Sequence, residues 1–412
     1  MSLTTEQVLV IRATVPVVQE YGNAITVRFY ENMLREVQDL NNVFNKTNQI
    51  NGHQADALAK VLCAYANHID DLGALSPAVE RICQKHASLY VKPGQYEIVG
   101  AYLLQAMKEI LGDALTIEIH DAWAAAYQQL ANLMISREAQ LLKEADDWSN
   151  WRDFQIAAKV RESSEITSFH LTPLDKQPLP GFLPGQYISI RMPVPGFHYL
   201  QARQYSLSDM PRADYYRISV KKEPVLNLGQ PNAKAHPGYL SNILHVEKSV
   251  GDILQVSHPA GEYFLDLRQK ELSDGPVVLI SAGVGLTPNL SILNTMTAKG
   301  SKRKISWVHA TRNSSVQAFG NHIQKLANEH ADVRTHVFNK EPSEEARQGV
   351  DYHFKGRMSL QKLHTEHDLF INDTRALYYI CGPEKFMADM HNVLRNWGVD
   401  GERIKLEVFG TG

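Results

Sequence analysis

His86 lies on one helical face with Val79, Ile82 and Cys83, at the spacing i, i+3, i+4 and i+7. An imidazole on such an inward stripe is either a core histidine with its hydrogen bonds satisfied or the ligand of a bound group. The chain has 17 histidines, so this position alone does not choose. A second segment, Pro276-Val-Val-Leu-Ile-Ser-Ala-Gly-Val-Gly-Leu-Thr-Pro288, is an apolar strand running through a glycine turn into a helix. Glycines such as Gly283 and Gly285 let backbone amides approach a phosphate, and the helix N-terminus adds partial positive charge. Alone, the pattern is equally a tight strand–helix turn. Arg203, in Arg203-Gln204-Tyr205-Ser206, carries a planar fork suited to gripping phosphate oxygens in pairs.

The elements that must position these groups change character along the chain. To about residue 145 the pattern is helical throughout. Thr4-Thr-Glu-Gln7 has the form of a capping box ahead of Val8, Ile11 and Val15. Ser76-Pro77 supplies a cap residue and a first-turn proline for the helix of His86, and Trp123, Tyr127, Leu130 and Met134 form another stripe. From about Phe154 the runs become short and β-rich, as in residues 186–191 and 216–220, punctuated by Pro-Gly pairs. They read as a small antiparallel barrel. From Pro276, buried-strand runs at 277–280, 305–308 and 377–380 alternate with helical ones, which implies a parallel α/β sheet. The fold class expected is therefore multidomain: all-α, then antiparallel β-barrel, then α/β. Trp148-Ser-Asn-Trp151 is placed in the first linker.

Composition narrows the class. The 412 residues carry a formal net charge of -3, which suggests no nucleic-acid or anionic-membrane partner. Three cysteines, Cys63, Cys83 and Cys381, form no CxxC pair and argue against a disulfide scaffold or a cysteine-ligated metal. The N-terminus lacks an apolar signal region and no apolar run approaches a bilayer span. A cytoplasmic monomer without a membrane anchor is expected.

Five segments, Pro184-Gly-Gln-Tyr187, Arg203–Ser206, Gly238-Tyr-Leu-Ser241, the glycine turn and Cys381-Gly382-Pro383, resemble the ferredoxin–NADP reductase superfamily in order and context. The resemblance implies FAD on the barrel. Arg203 would meet its pyrophosphate, with Gln204 in the same motif, Tyr205 and Tyr187 on the flavin wall and Ser206 near its reactive nitrogen. Gly238 and Ser241 would lie at an FAD phosphate. NADH or NADPH would bind at Gly283, Val284, Gly285, Leu286, Thr287 and Pro288, with Cys381 and Gly382 beside the nicotinamide. Phe409, flanked by Val408, Gly410 and Thr411, would cover the flavin. Arg312 either reaches a 2′-phosphate or is a solvated loop arginine.

Across the whole chain the sequence resembles the flavohaemoglobins, through Tyr30, Phe44, Gln54, Leu58, Gln84-Lys85-His86, Lys92-Pro-Gly-Gln-Tyr96 and Ser136-Arg-Glu138. That resemblance implies haem b ligated by His86, with Tyr96 and Glu138 as proximal partners. Tyr30, Gln54 and Leu58 would lie on the distal side, with Phe44 in the pocket. Lys85 and Glu407 would meet at the haem–flavin junction. The domains implied are globin 1–147, linker 148–153, FAD barrel 154–270 and NAD(P)H domain 271–412. The implied activity is that of a nitric oxide dioxygenase, with dioxygen and nitric oxide as small-molecule partners. A reductase of hydroperoxides or ferric iron, and a haem-based gas sensor, are the alternatives. Two departures stand out: a long loop at 223–237, and a C-terminus without the proline that often follows the glycine.

Overall fold

The computed structural model describes residues 3–45, 49, 52–146, 148–223, 238–268 and 274–409. The motifs read from the sequence are all described except the 224–237 part of the long loop and Gly410 and Thr411, which lie outside the described residues.

The N-terminal part is helical: α1 (Thr5–Ala13), α2 (Val15–Glu36), α3 (His53–Asn67), α4 (Ser76–Leu89), α5 (Pro93–Leu111) and α6 (Ile117–Glu144). The capping box closes α1, with the Gln7 amide donating to Thr4 Oγ1 at 3.2 Å and the Thr4 amide donating to Gln7 Oε1 at 2.9 Å. Ser76 is not the cap of α4. A 3-10 turn, Leu72–Leu75, runs straight into the helix, so Ser76 already has helical angles and Leu75 takes the cap position. The preceding turn makes a side-chain cap unnecessary; Pro77 does occupy the first turn. The Trp123 stripe faces inward, with Trp123 and Met134 buried and Tyr127 and Leu130 packed against the core.

The α4–α5 connection positions the chemistry. Tyr90 takes a left-handed conformation (φ 56°) and its amide closes on the α4 carbonyls. Lys92 then begins the next helix, its amide donating to Gln95 Oε1 at 2.8 Å. This short reversal holds the end of α4 beside the first turn of α5, and so His86 beside Tyr96.

Next comes an antiparallel six-stranded sheet in the order β4-β3-β6-β1-β2-β5. Its strands are β1 (Arg152–Arg161), β2 (Ile166–Pro173), β3 (Tyr187–Met192), β4 (Gln201–Ser206), β5 (Tyr216–Lys221) and β6 (Ile253–Val256). A bridge between Leu207 and Ile218 joins the two edges, closing the sheet into a barrel around Phe154, Phe169, Ile188 and Ile218. Trp148, in the segment expected as linker, is buried and stacks on Phe154 at 6.1 Å. A short helix, α7 (Tyr239–Val246), lies between β5 and β6.

The last part is a parallel sheet in the order β10-β9-β8-β7-β11-β12. Its inner strands β7 (Val277–Ala282), β8 (Ile305–Asn313) and β11 (Leu377–Cys381) are sheathed by α8 (Leu286–Ala298), α9 (Gly320–Glu329) and α10 (Glu384–Asn396). Outside them lie β9 (Val333–Glu341), β10 (Phe354–Lys355) and β12 (Ile404–Glu407). Val277 to Ile280 are fully buried, as a strand covered on both faces requires. The chain reverses its winding direction between β7 and β11, the place where open α/β sheets bind ligands. Two buried tyrosines tie this part to the barrel: the Tyr263 hydroxyl donates to Asn289 Oδ1 at 2.6 Å, and the Tyr379 hydroxyl to the Phe264 carbonyl at 3.0 Å. Among the described residues no helix is long and apolar enough to cross a membrane.

Candidate functional site

Three helices converge on His86. Its Nδ1 lies 2.8 Å from the Tyr96 hydroxyl on α5 and 3.0 Å from Glu138 Oε1 on α6. Tyr96 also donates to the same carboxylate oxygen. Burial, reinforced by the negative charge of Glu138, pushes the Tyr96 phenol above its usual range and keeps it protonated. With the phenol's single proton directed to Glu138, the proton between His86 and this pair belongs to Nδ1. Nε2 then carries the free lone pair that a metal ligand needs. Glu138 is buried, which separates it from the surface glutamate of an ordinary last helix.

The support behind this triad is built from packing. Tyr127, on α6, donates to the Tyr96 carbonyl at 2.5 Å. Its ring lies where a Cβ at position 100 would stand, only 2.4 Å away, so α5 needs glycine there. One turn from Tyr96, Gly100 thus lets two helices approach closely enough to fix the phenol.

Tyr30, on α2, is buried and meets the ring of Phe44 edge-on at 5.6 Å. Burial pushes its phenol up, while a hydrogen bond with Gln54 works in the opposite direction. Gln54, on α3, accepts a hydrogen bond from Gln49 Nε2 at 2.6 Å. Leu58 follows one turn later and packs against the helical core with Phe44. The expected distal residues are therefore brought together.

On the barrel, β3 and β4 pair Tyr187 with Ser206 and Ser189 with Gln204. Arg203 and Tyr205 are partly buried and Ser206 is buried. Burial lowers the proton affinity of Arg203; burial and the nearby Arg203 charge do the same to Lys85 of α4. Two cations thus crowd the barrel–globin junction beside two tyrosine rings, a donor set that suits an anionic aromatic cofactor. Gly238 caps α7, and Ser241 Oγ donates to its carbonyl at 2.8 Å.

At the sheet switch point Gly283 has φ 55° and Gly285 tucks under the β11 end, where a Cβ would come within 2.3 Å of the Cys381 carbonyl. Leu286, Thr287 and Pro288 open α8, Thr287 Oγ1 donating to the Val284 carbonyl at 3.0 Å. A Cβ on Gly382 would meet Phe386 at 2.8 Å. Cys381 is fully buried, and burial with the charge of Glu407 raises its thiol. Glu407, opposite Cys381 in the sheet register, is held up to about 8 by burial and by Glu262, against the opposing charge of Arg81. The expected meeting of Lys85 with Glu407 has no counterpart in their surroundings: Lys85 feels the charge of Arg203, and Glu407 those of Glu262 and Arg81. Val408 packs against the sheet, and Phe409 is 45% exposed. Arg312 pairs with Glu165 of the barrel, a partner neither sequence reading considered.

The sequence reading gave no role to Arg81, Gln84 or Ser88. Together with Lys85 they form a second i, i+3, i+4, i+7 stripe on α4, and this one meets the barrel. Arg81 pairs with Glu262 at 2.8 Å, and the Gly261 amide donates to Gln84 Oε1 at 2.8 Å. The spacing was available, but a polar stripe reads as a solvated face.

Comparison with known proteins agrees with this architecture. The family described as "Globin" matches residues 27–134, and "Oxidoreductase NAD-binding domain" matches 279–392. The flavohemoprotein of Bordetella parapertussis is 45% identical over 416 residues, covering 100% of this chain and 99% of the relative. A flavohemoglobin from Malassezia yamatoensis, solved with bound FAD and heme, matches with a TM-score of 0.86 at 28% identity and covers 100% of both chains. The FAD/NAD-binding domain of a nitric oxide dioxygenase from Vibrio cholerae matches 63% of this chain and 99% of its own, at 36% identity and a TM-score of 0.54. Full-length identity at this level, over the same succession of helical, barrel and parallel-sheet parts, establishes that the chain belongs to the flavohaemoprotein family.

Proposed function

We propose that this chain is a nitric oxide dioxygenase, in which NADH or NADPH supplies electrons through FAD to haem b and dioxygen oxidises nitric oxide to nitrate. The observation that carries the reading is the His86 triad: an imidazole held at Nδ1 by Glu138 and Tyr96, with Nε2 left as the donor. The haem and FAD of the Malassezia relative, and the reaction named for the Vibrio relative, support the same reading. When bound, haem supplies an iron centre for dioxygen, and FAD takes a hydride and releases its electrons singly.

The residues divide the remaining work. His86 Nε2 would ligate the haem iron, while Glu138 draws on the Nδ1 proton and gives the ring imidazolate character, making it a stronger donor. Tyr96 shares the same carboxylate oxygen and holds it in place. On the other side the Tyr30 hydroxyl donates into the pocket, where a hydrogen bond is worth more than in water. Gln54 orients that hydroxyl, and Leu58 and Phe44 keep the pocket apolar.

Arg203 and Lys85 neutralise the anionic part of FAD, with Tyr187 and Tyr205 as its wall and Gln204 and Ser206 on the same strand. Gly238 and Ser241 would receive an FAD phosphate. The turn Gly283–Gly285 and the α8 N-terminus would receive the nicotinamide dinucleotide, with Cys381 and Gly382 on the nicotinamide side. Phe409, beside Val408 at the end of the described chain, would yield to it.

The test is aerobic nitric oxide consumption by purified protein loaded with haem and FAD, with NADH or NADPH as donor. The expected outcome is rapid loss that depends on the dinucleotide and yields nearly stoichiometric nitrate, abolished in His86→Ala. Persistence of nitric oxide with both cofactors bound would replace this reading with that of a reductase or a sensor.

A further inference from the structure

Helix α4 carries two faces with the same spacing. Val79, Ile82 and Cys83 pack into the helical core on the stripe shared with His86. On the other, Arg81, Gln84 and Ser88 contact the barrel, and Lys85 lies in the field of Arg203. The first stripe serves the haem pocket and the second faces the strands of the flavin wall.

Ser88 and Ser189 sit at the centre of this contact, and both are fully buried at 0% exposure. A buried hydroxyl is costly unless its hydrogen bonds are made. Ser88 Oγ donates to the Lys85 carbonyl at 2.8 Å and accepts from Ser189 Oγ at 2.9 Å. Ser189 Oγ in turn accepts from Gln204 Nε2 at 3.0 Å. One chain of hydrogen bonds thus runs from the helix of the iron ligand to both strands of the flavin wall.

An apolar contact would hold these surfaces together but would tolerate sliding, because hydrophobic burial is non-directional. A hydroxyl pair fixes the helix along the strand, and electron transfer falls exponentially with the distance between donor and acceptor. We propose that Ser88 and Ser189 are a positioning pair that sets the rate of one-electron transfer from flavin to haem. Neither residue touches a reacting atom, and the inference rests on the cofactor reading above. In the step concerned, reduced flavin is oxidised and ferric iron becomes ferrous, with no covalent bond to iron made or broken. Two such transfers use the electron pair of one hydride, and the flavin's proton leaves to solvent.

The experiment uses the full chain loaded with haem and FAD. NADH is mixed without oxygen, and flavin bleaching and the haem absorption shift are followed separately in Ser88→Ala, Ser189→Ala and the double variant. Flavin reduction and its dependence on NADH concentration should be unchanged. Haem reduction should slow severalfold in each single variant, because either change releases the helix from its register on the strand. The double variant should be slowed by less than the product of the two single effects, because the bond between the two hydroxyls is already lost in either single variant. The melting temperatures should show the same non-additivity, a readout independent of turnover. Unchanged haem reduction in both single variants, or effects that multiply in the double one, would overturn the inference alone. A wild-type chain that binds neither cofactor would overturn the functional reading, and this inference with it.

Discussion

Glu407 is the residue whose surroundings make the sharpest demand. Its carboxyl is displaced from 4.5 to about 8 by burial and by Glu262, with Arg81 opposing, and Tyr187 and Cys381 feel its charge. A raised carboxyl favours folding only while protonated. Its contribution is complete below about 4.5, the unfolded value, and is lost as pH rises through about 8. Glu407→Gln removes this dependence. The melting temperature of the wild-type protein should therefore fall more steeply than that of the variant between those two pH values. Parallel melting curves would show that Glu407 ionises without strain. This residue was legible only through family resemblance, since no local pattern marks it. His86 was different: its stripe placed it inside the helical part, and the resemblance supplied Tyr96 and Glu138. Ser88 and Ser189 were not legible, because serine carries too little pattern to announce a contact 101 residues away.

Among the elements, α4, α5 and α6 form the frame on which the proximal chemistry depends. Periodicity was enough to find all three, because each buries one stripe and exposes another. It failed at the start of α4, where a preceding 3-10 turn replaces the serine cap. It also could not say that α4 uses both faces, since the second partner is a sheet far along the chain. The frame's tightest point is Gly100 against the Tyr127 ring, at 2.4 Å from a Cβ. Gly100→Ala should cost about 1–3 kcal/mol, the usual penalty for overfilling a packed contact. It should also displace Tyr127 from the Tyr96 carbonyl and so disturb the hydrogen bond to His86. Denaturant unfolding and the haem absorption spectrum read the two effects. A variant that matches the wild type in both would show that the helix contact does not govern the triad.

For the whole molecule, the order of the three parts was plain from changes of period and punctuation. Their docking was not, because it depends on side chains distant in sequence. Asp209, in the barrel, accepts from Asn294 of α8 at 3.0 Å, and its carbonyl accepts from Ser291 Oγ at 2.7 Å. The helical part meets the barrel through Arg81, Gln84 and Ser88, and Asn42 accepts from the Leu200 amide at 2.9 Å. These contacts hold the parallel sheet, the barrel and the His86 helix together, as the proposed electron route requires. The claim that electrons on this route serve a dioxygenase is tested most directly with heavy-isotope dioxygen. Nitric oxide of ordinary isotope is consumed by the loaded protein in the presence of NADH, and the nitrate is weighed by mass spectrometry. The account predicts nitrate in which both added oxygen atoms carry the heavy isotope; nitrate carrying one or none of them, or no nitrate, would contradict it.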